Sequence, residues 1–171
     1  MKRVAIVVGH SHSAQGAQSE QGISEYQFNA QFASRLAKEL HKLDCQPVII
    51  YRDTLQQLPE LVNLTKADVC ISLHCNAFNS TASGTETLYF HTSNKSKALA
   101  ERIQRAMTNV LGLKDRGIKP IKQGERGAVI LHQTAMPCVL IEPCFMDNYS
   151  DFDALDEHQD ALALALAEVL K

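Results

Sequence analysis

The sequence predicts an α/β domain: a mostly parallel, twisted sheet of about six strands flanked by helices on both faces. Three observations carry this. Short apolar runs at 3–8, 69–73 and 138–142, rich in β-branched residues, have the near-continuous hydrophobicity of strands covered on both sides. Longer segments between them place apolar residues at three- and four-residue spacing, as helices with one buried stripe do. The two signals alternate along the chain with no internal repeat, linker or low-complexity tract, so residues 1–171 are expected to form a single domain with no separate binding unit.

In order, residues 3–8 form an apolar strand running into Gly9 and His10, and the small, polar residues 11–22 form a loop. Ser24 and Gln27 match a capping box that opens a helix whose stripe is Phe28, Phe32, Leu36, Leu40 and Leu43. Residues 46–51 read as a strand, 54–64 as a short helix, and 69–73 as a strand stopping at His74. A turn-rich loop, 77–84, precedes a strand at 85–90 and an amphipathic helix at 94–110. Residues 112–127, rich in Gly, Lys and Arg, read as a long surface loop, and 128–132 as a strand. Pro137 punctuates before the strand that ends at Glu142, and 148–171 is mostly the closing helix.

Composition narrows the function classes. At 171 residues the chain can bury a sizeable core without staples. A formal net charge of −2 and a pI near 6.4, with Lys and Arg scattered, argue against a nucleic-acid partner. Five cysteines at irregular spacing, with no CxxC pair, argue against a disulfide framework or a cysteine-zinc knot, and Cys70 and Cys138 read as buried small hydrophobes. No stretch approaches the roughly 18 apolar residues of a membrane span. The apolar run behind Lys2 and Arg3 is too short for a secretion signal, so synthesis in the cytoplasm without a signal peptide is expected.

The candidate chemistry lies at the strand ends, where open α/β sheets present their ligand sites. His10, His74 and Glu142 each end an apolar run. Glu25 heads the inward stripe of the first helix, three residues before Phe28 and seven before Phe32. A carboxylate aimed at a core is costly unless it is paired or binds metal; the alternative is a first-turn Glu favoured by the helix dipole. If His10, Glu25 and His74 converge, two imidazoles and a carboxylate with a fourth position left for water make a catalytic zinc arrangement. Glu142 is then the candidate base, against the alternative of a solvated strand-end carboxylate. Glu86 reads equally as a pocket-lining residue or an edge-strand charge, and Cys144 as a pocket-lining residue rather than a ligand. His41, His91 and His158 lie in polar contexts.

The ordered set Gly9-His10, Gly22-Ile-Ser-Glu25-Tyr-Gln-Phe-Asn29, Ser72-Leu-His74-Cys-Asn76-Ala77, Gly84-Thr-Glu-Thr-Leu-Tyr89 and Met136-Pro-Cys-Val-Leu-Ile-Glu142-Pro-Cys-Phe145 resembles the zinc-dependent N-acetylmuramoyl-L-alanine amidases. More narrowly, it resembles the catalytic domain shared by bacterial cell-wall amidases and phage endolysins, over essentially the whole chain. The resemblance implies one Zn2+ per chain held by His10, Glu25 and His74, with Glu142 catalytic. It implies hydrolysis of the amide between N-acetylmuramic acid and L-alanine in peptidoglycan, the glycan strand and stem peptide both being bound. It also implies action at the cell wall, in the manner of a minimal phage or prophage lysin.

The sequence departs from that pattern in two places. The family usually opens with Asp-Pro-Gly-His-Gly, whereas here the turn is Val8-Gly9-His10-Ser11-His12, which makes His12 a rival to His10 as first ligand, against the favoured reading of a substrate contact or a plain surface residue. The family commonly carries a basic residue where His132 stands, so His132 either contacts substrate and stabilises the oxyanion or is a satisfied strand-end histidine. Asn76, in the turn after His74, is a further candidate for substrate binding. Two other functions suit the same residues: a different zinc peptidase or deacylase on this fold, and a non-catalytic peptidoglycan-binding module.

Overall fold

Alternation along one strand sets the architecture. In β1 (Arg3–Val8), Val4, Ile6 and Val8 enter one hydrophobic cluster and Ala5 and Val7 another, so the strand is buried on both faces. The computed structural model describes residues 1–52 and 54–171. Among these, β1 is joined by β2 (Gln46–Ile50), β3 (Val69–Leu73), β4 (Thr85–Phe90), β5 (Asp115–Ile121) and β6 (Cys138–Glu142) in a six-stranded sheet of order β2-β1-β3-β6-β4-β5. Pairings β1–β2, β1–β3, β3–β6 and β4–β5 are parallel, and β4 runs antiparallel to β6. The helices α1 (Glu25–Lys42), α3 (Asn94–Leu111) and α5 (Tyr149–Leu170) cover the Val4, Ile6 and Val8 face. The shorter α2 (Leu58–Leu64) and α4 (Ala128–Gln133) cover the other. No helix among the described residues is long and apolar enough to cross a membrane.

The first helix forms as its sequence indicates. The Ser24 hydroxyl accepts from the Gln27 backbone N–H, and the Gln27 side chain accepts from Ser24 N–H, which closes the capping box. Phe28, Phe32, Leu36 and Leu40 are buried on the sheet, and the Phe28 ring meets Phe152 of α5 edge-on at 5.5 Å. Ser93 caps α3, Gly112 ends it in the left-handed conformation, and Asn148 caps α5.

Two expected elements are corrected. The stretch 112–127 is no uninterrupted loop: β5 lies within it, an edge strand carrying Gly117, Lys119 and Pro120. Such residues read as loop, yet they are what an edge strand tolerates and uses to discourage further pairing. Residues 128–132, expected as a strand, belong to helix α4 instead. Gly127, left-handed at φ 81°, opens it, and Ile130 and Leu131 pack under the sheet with Leu88, Phe90 and Leu140. A short apolar run does not distinguish strand from buried helix by periodicity. The two differences offset each other in the strand count. The α2 helix starts at Leu58 rather than 54, with Pro59 in its first turn.

A buried carboxylate ties down the loop beside the sheet's working edge. Asp151, 1% exposed in the first turn of α5, accepts from the Ser83 hydroxyl, from Gly84 N–H at 2.9 Å and from Phe145 N–H at 3.0 Å. Asp147 accepts from Phe78 N–H and Ser80 N–H. The 76–84 segment is thereby fixed to the β6–α5 connection. Replacing Asp151 with Ala strands these donors and is expected to cost about 3 kcal/mol, a fall of roughly 6–12 °C in melting temperature. A calorimetric shift under about 2 °C would show that the loop does not depend on this carboxylate.

Candidate metal centre

The carboxyl ends of the parallel strands β1, β3 and β6 lie side by side, and the residues following them form the site. Gly9 N–H donates to Leu73 O at 2.9 Å, extending the β1–β3 ladder by one bond. A Cβ on Gly9 would run into that carbonyl and the His74 ring, so glycine lets the two strand ends approach. His10 then turns out of the strand with φ 66°, a left-handed conformation that costs a non-glycine residue energy and aims its ring across the sheet edge.

Glu25 joins the two histidines. His10 Nε2 lies 2.9 Å from Glu25 Oε2, and His74 Nδ1 lies 3.0 Å from Oε1. Cys75 N–H donates to Oε1 at 3.0 Å and Ala17 N–H to Oε2 at 3.2 Å. The carboxylate is 2% exposed. Burial by itself would raise its pKa, but the His10 and His74 contacts and the Cys75 N–H outweigh burial and hold it well below the usual carboxylate range. For His74, burial lowers the pKa against the opposing pull of Glu25, which favours the neutral imidazole. A neutral imidazole and an ionised carboxylate are the forms that bind metal.

The donor set fits a zinc-like ion. Two imidazoles and a carboxylate offer atoms all within 4.8 Å of one another. The loop over them leaves no slack: a Cβ on Gly16, whose φ is +78°, would lie 2.6 Å from Glu25 Oε2 and 2.7 Å from His10 Cδ2. The group opens into a cavity of about 400 Å³, whose lining also includes Arg52, Leu55, Arg126 and Val129.

Glu142 ends β6, one strand over from His74, whose N–H donates to Ile141 O at 3.1 Å. It is 1% exposed and accepts from Arg126 Nη2 at 2.7 Å through Oε1, while Oε2 is buried without a partner among the described residues. Burial pushes its pKa well up; Arg126 opposes this, and Glu25 and Glu86 add to it. Glu142 faces a second cavity, of about 540 Å³, with Asn76, Glu86, Arg116 and Arg126. There Glu86 accepts from Asn76 Nδ2 and Arg116 Nε, both at 2.9 Å. Arg126 lines both cavities.

The structure thus gathers His10, Glu25 and His74 in one group and sets Glu142 and Asn76 in the adjoining cavity. His12 and His132 lie in neither. His12 is exposed on the 11–22 loop, with its carbonyl accepting from Gln15 Nε2. His132 is exposed on α4 with its ring 4.3 Å from that of Phe90, because residues 128–133 coil and no strand carries it to the sheet edge. Cys144 is fully buried in the core on the α1, α3 and α5 face. Arg126 was not singled out from the sequence. Its signal was present all the same, since a buried strand-end glutamate requires a cation, and Arg126 stands between Gly124 and Gly127 in the turn leading to α4.

The model of the N-acetylmuramoyl-L-alanine amidase family matches residues 4–171. The N-acetylmuramoyl-L-alanine amidase LytC of Bacillus subtilis is 34% identical over 167 residues, covering 92% of this chain and 32% of that protein. A cell wall amidase of Bacillus anthracis, itself uncharacterised, is 36% identical over 112 residues, which is 61% of this chain and 20% of that protein. The chain thus spans a third or less of the length of these two relatives. Among solved structures, the N-acetylmuramoyl-L-alanine amidase from Clostridium difficile 630 superposes with a TM-score of 0.88 at 30% identity, covering 98% of this chain and 94% of that one. The catalytic domain of the CD27L endolysin gives 0.86 at 29% identity, covering 99% and 97%.

Gly16→Ala forces a side chain into the left-handed turn and against both Glu25 and His10. It is expected to weaken zinc affinity by roughly 10–100-fold, as disturbing the support of a ligand does, while the fold persists. Unchanged affinity in a competitive chelator titration would show that this loop does not hold the ligands.

Proposed function

Because this chain belongs to the N-acetylmuramoyl-L-alanine amidase family, we propose that residues 4–171 act as a zinc-dependent catalytic domain that hydrolyses the amide between N-acetylmuramic acid and L-alanine in peptidoglycan, at the cell wall. The observation that carries this reading is the buried Glu25 carboxylate bridging His10 and His74 at the sheet edge, with the buried Glu142 one strand away.

His10 Nε2, His74 Nδ1 and Glu25 are the residues that would hold the zinc. Bound there, zinc supplies a Lewis acid that polarises the scissile carbonyl and activates water for attack. Glu142 takes one proton of the attacking water and returns it to the alanine nitrogen as the carbon–nitrogen bond breaks; with the water's second proton also passing to that nitrogen, the products are a lactyl carboxylate and an alanyl ammonium group. Its Oε2, unpartnered among the described residues, is the atom available for that proton. Arg126 on Oε1 holds the carboxylate in place and works in part against the burial that pushes its pKa up. Asn76 and Arg116, both bonded to Glu86 in the same cavity, present polar groups to the substrate.

The direct test is digestion of purified peptidoglycan, with the products read by mass spectrometry. Free stem peptides beginning at L-alanine are expected. Cleavage at another bond would transfer the site to a different zinc peptidase or deacylase, and binding without cleavage would make the domain a wall-binding module. Glu142→Gln is expected to cut turnover roughly 10²–10⁴-fold with zinc content unchanged. Turnover within a factor of about three of wild type would remove Glu142 from the proton transfer.

A further inference from the structure

The cavity beside the His10–Glu25–His74 group is asymmetric in charge. Its walls are largely aliphatic, contributed by Leu55, Leu58, Val129 and Ile130, yet two guanidinium groups, Arg52 and Arg126, also line it. Among the described residues, the carboxylate in the lining is Glu25, whose two oxygens are taken by the histidines and by backbone N–H groups. Arg126 gives one nitrogen to Glu142 and keeps further N–H donors, since a guanidinium carries five. Arg52 makes no ion pair among the described residues. Burial works against its charge, and the field of Glu25 opposes that effect. At about 400 Å³ the space has the size of a small-ligand pocket.

We propose that Arg52, assisted by Arg126, reads a free carboxylate on the stem peptide one residue beyond the scissile L-alanine, so that this site prefers stems in which that carboxylate is not amidated. The inference rests on the amidase reading above. An L-alanyl stem fits the sequence of surfaces, because its methyl suits the aliphatic wall and the next residue carries either a carboxylate or its carboxamide. A guanidinium pairs with a carboxylate through two parallel hydrogen bonds, both charge-assisted. A carboxamide at the same place sets an NH2 donor against N–H donors and removes the charge, leaving one of those bonds unmade.

The test uses two defined substrates, muramoyl-L-alanyl-D-isoglutamyl-L-lysine and muramoyl-L-alanyl-D-isoglutaminyl-L-lysine, in which the γ-carboxyl is tied up in the amide to lysine and only the α-carboxylate or its carboxamide differs, with the zinc-loaded protein. Wild type is expected to show a kcat/KM about 10- to 100-fold higher for the free acid, the worth of a hydrogen bond to a charged group. Arg52→Gln is expected to bring the two substrates to the same kcat/KM by loss on the acid alone. Arg52→Lys, which keeps the charge without the fork, should retain part of the preference. Equal rates in wild type, or an equal fall on both substrates in Arg52→Gln, would overturn the proposal. A merely structural role for Arg52 moves both rates together and leaves their ratio unchanged. Failure of wild type to release L-alanyl peptide from either substrate, with cleavage elsewhere, would instead strike at the amidase reading.

Discussion

The structure turns on one buried carboxylate. Glu25 accepts from two histidine rings and two backbone N–H groups while being 2% exposed. An ionised group removed from water is tolerated only where every such partner is in place. The partners come from three parts of the chain. His10 follows β1, His74 and Cys75 follow β3, Ala17 lies in the loop between, and Glu25 opens α1. Strand register, the capping box and the left-handed turns at His10 and Gly16 all converge on this point, so a disturbance in any of them reaches the others.

The second constraint is the pairing of Glu142 with Arg126. The strand end holds Glu142 rigidly, in a setting where burial favours its protonated form. Arg126, on the turn before α4, works against that preference from the mouth of both cavities. Acid–base chemistry needs a group able to take both forms, and the role proposed for Glu142 depends on this opposition between burial and the Arg126 cation. Arg126 also stands between an aliphatic cavity beside the His10–Glu25–His74 group and a polar one beside Glu142.

Much of this was legible in the sequence. The strands β1, β3 and β6 are short apolar runs with β-branched residues that form the strands they suggest, and α1 announces itself by cap and stripe. Glu25 stood out because a carboxylate at the head of a core-facing stripe calls for partners. What escaped was governed by tertiary context. The β5 strand holds Gly117 and Pro120 only because it lies at the sheet edge, and Ala128–Gln133 coils because the space beneath Leu88 and Leu140 accepts a helix. That helix also decides where His132 and Arg126 lie. Once the segment is helical, His132 rests on Phe90 and the preceding turn delivers Arg126 to Glu142. Spacing along the chain does not encode which neighbour a loop cation will find.

The central claim is that Glu25 and the two histidines form a metal centre and are not merely a buried hydrogen-bonded cluster. Elemental analysis of protein purified without added metal, then exposed to zinc and dialysed, addresses it directly. The account predicts about one zinc per chain, as expected of a site with two imidazoles and a carboxylate. A protein that is folded and retains no zinc after this treatment would contradict it, and would leave the Glu25 network with a purely structural role.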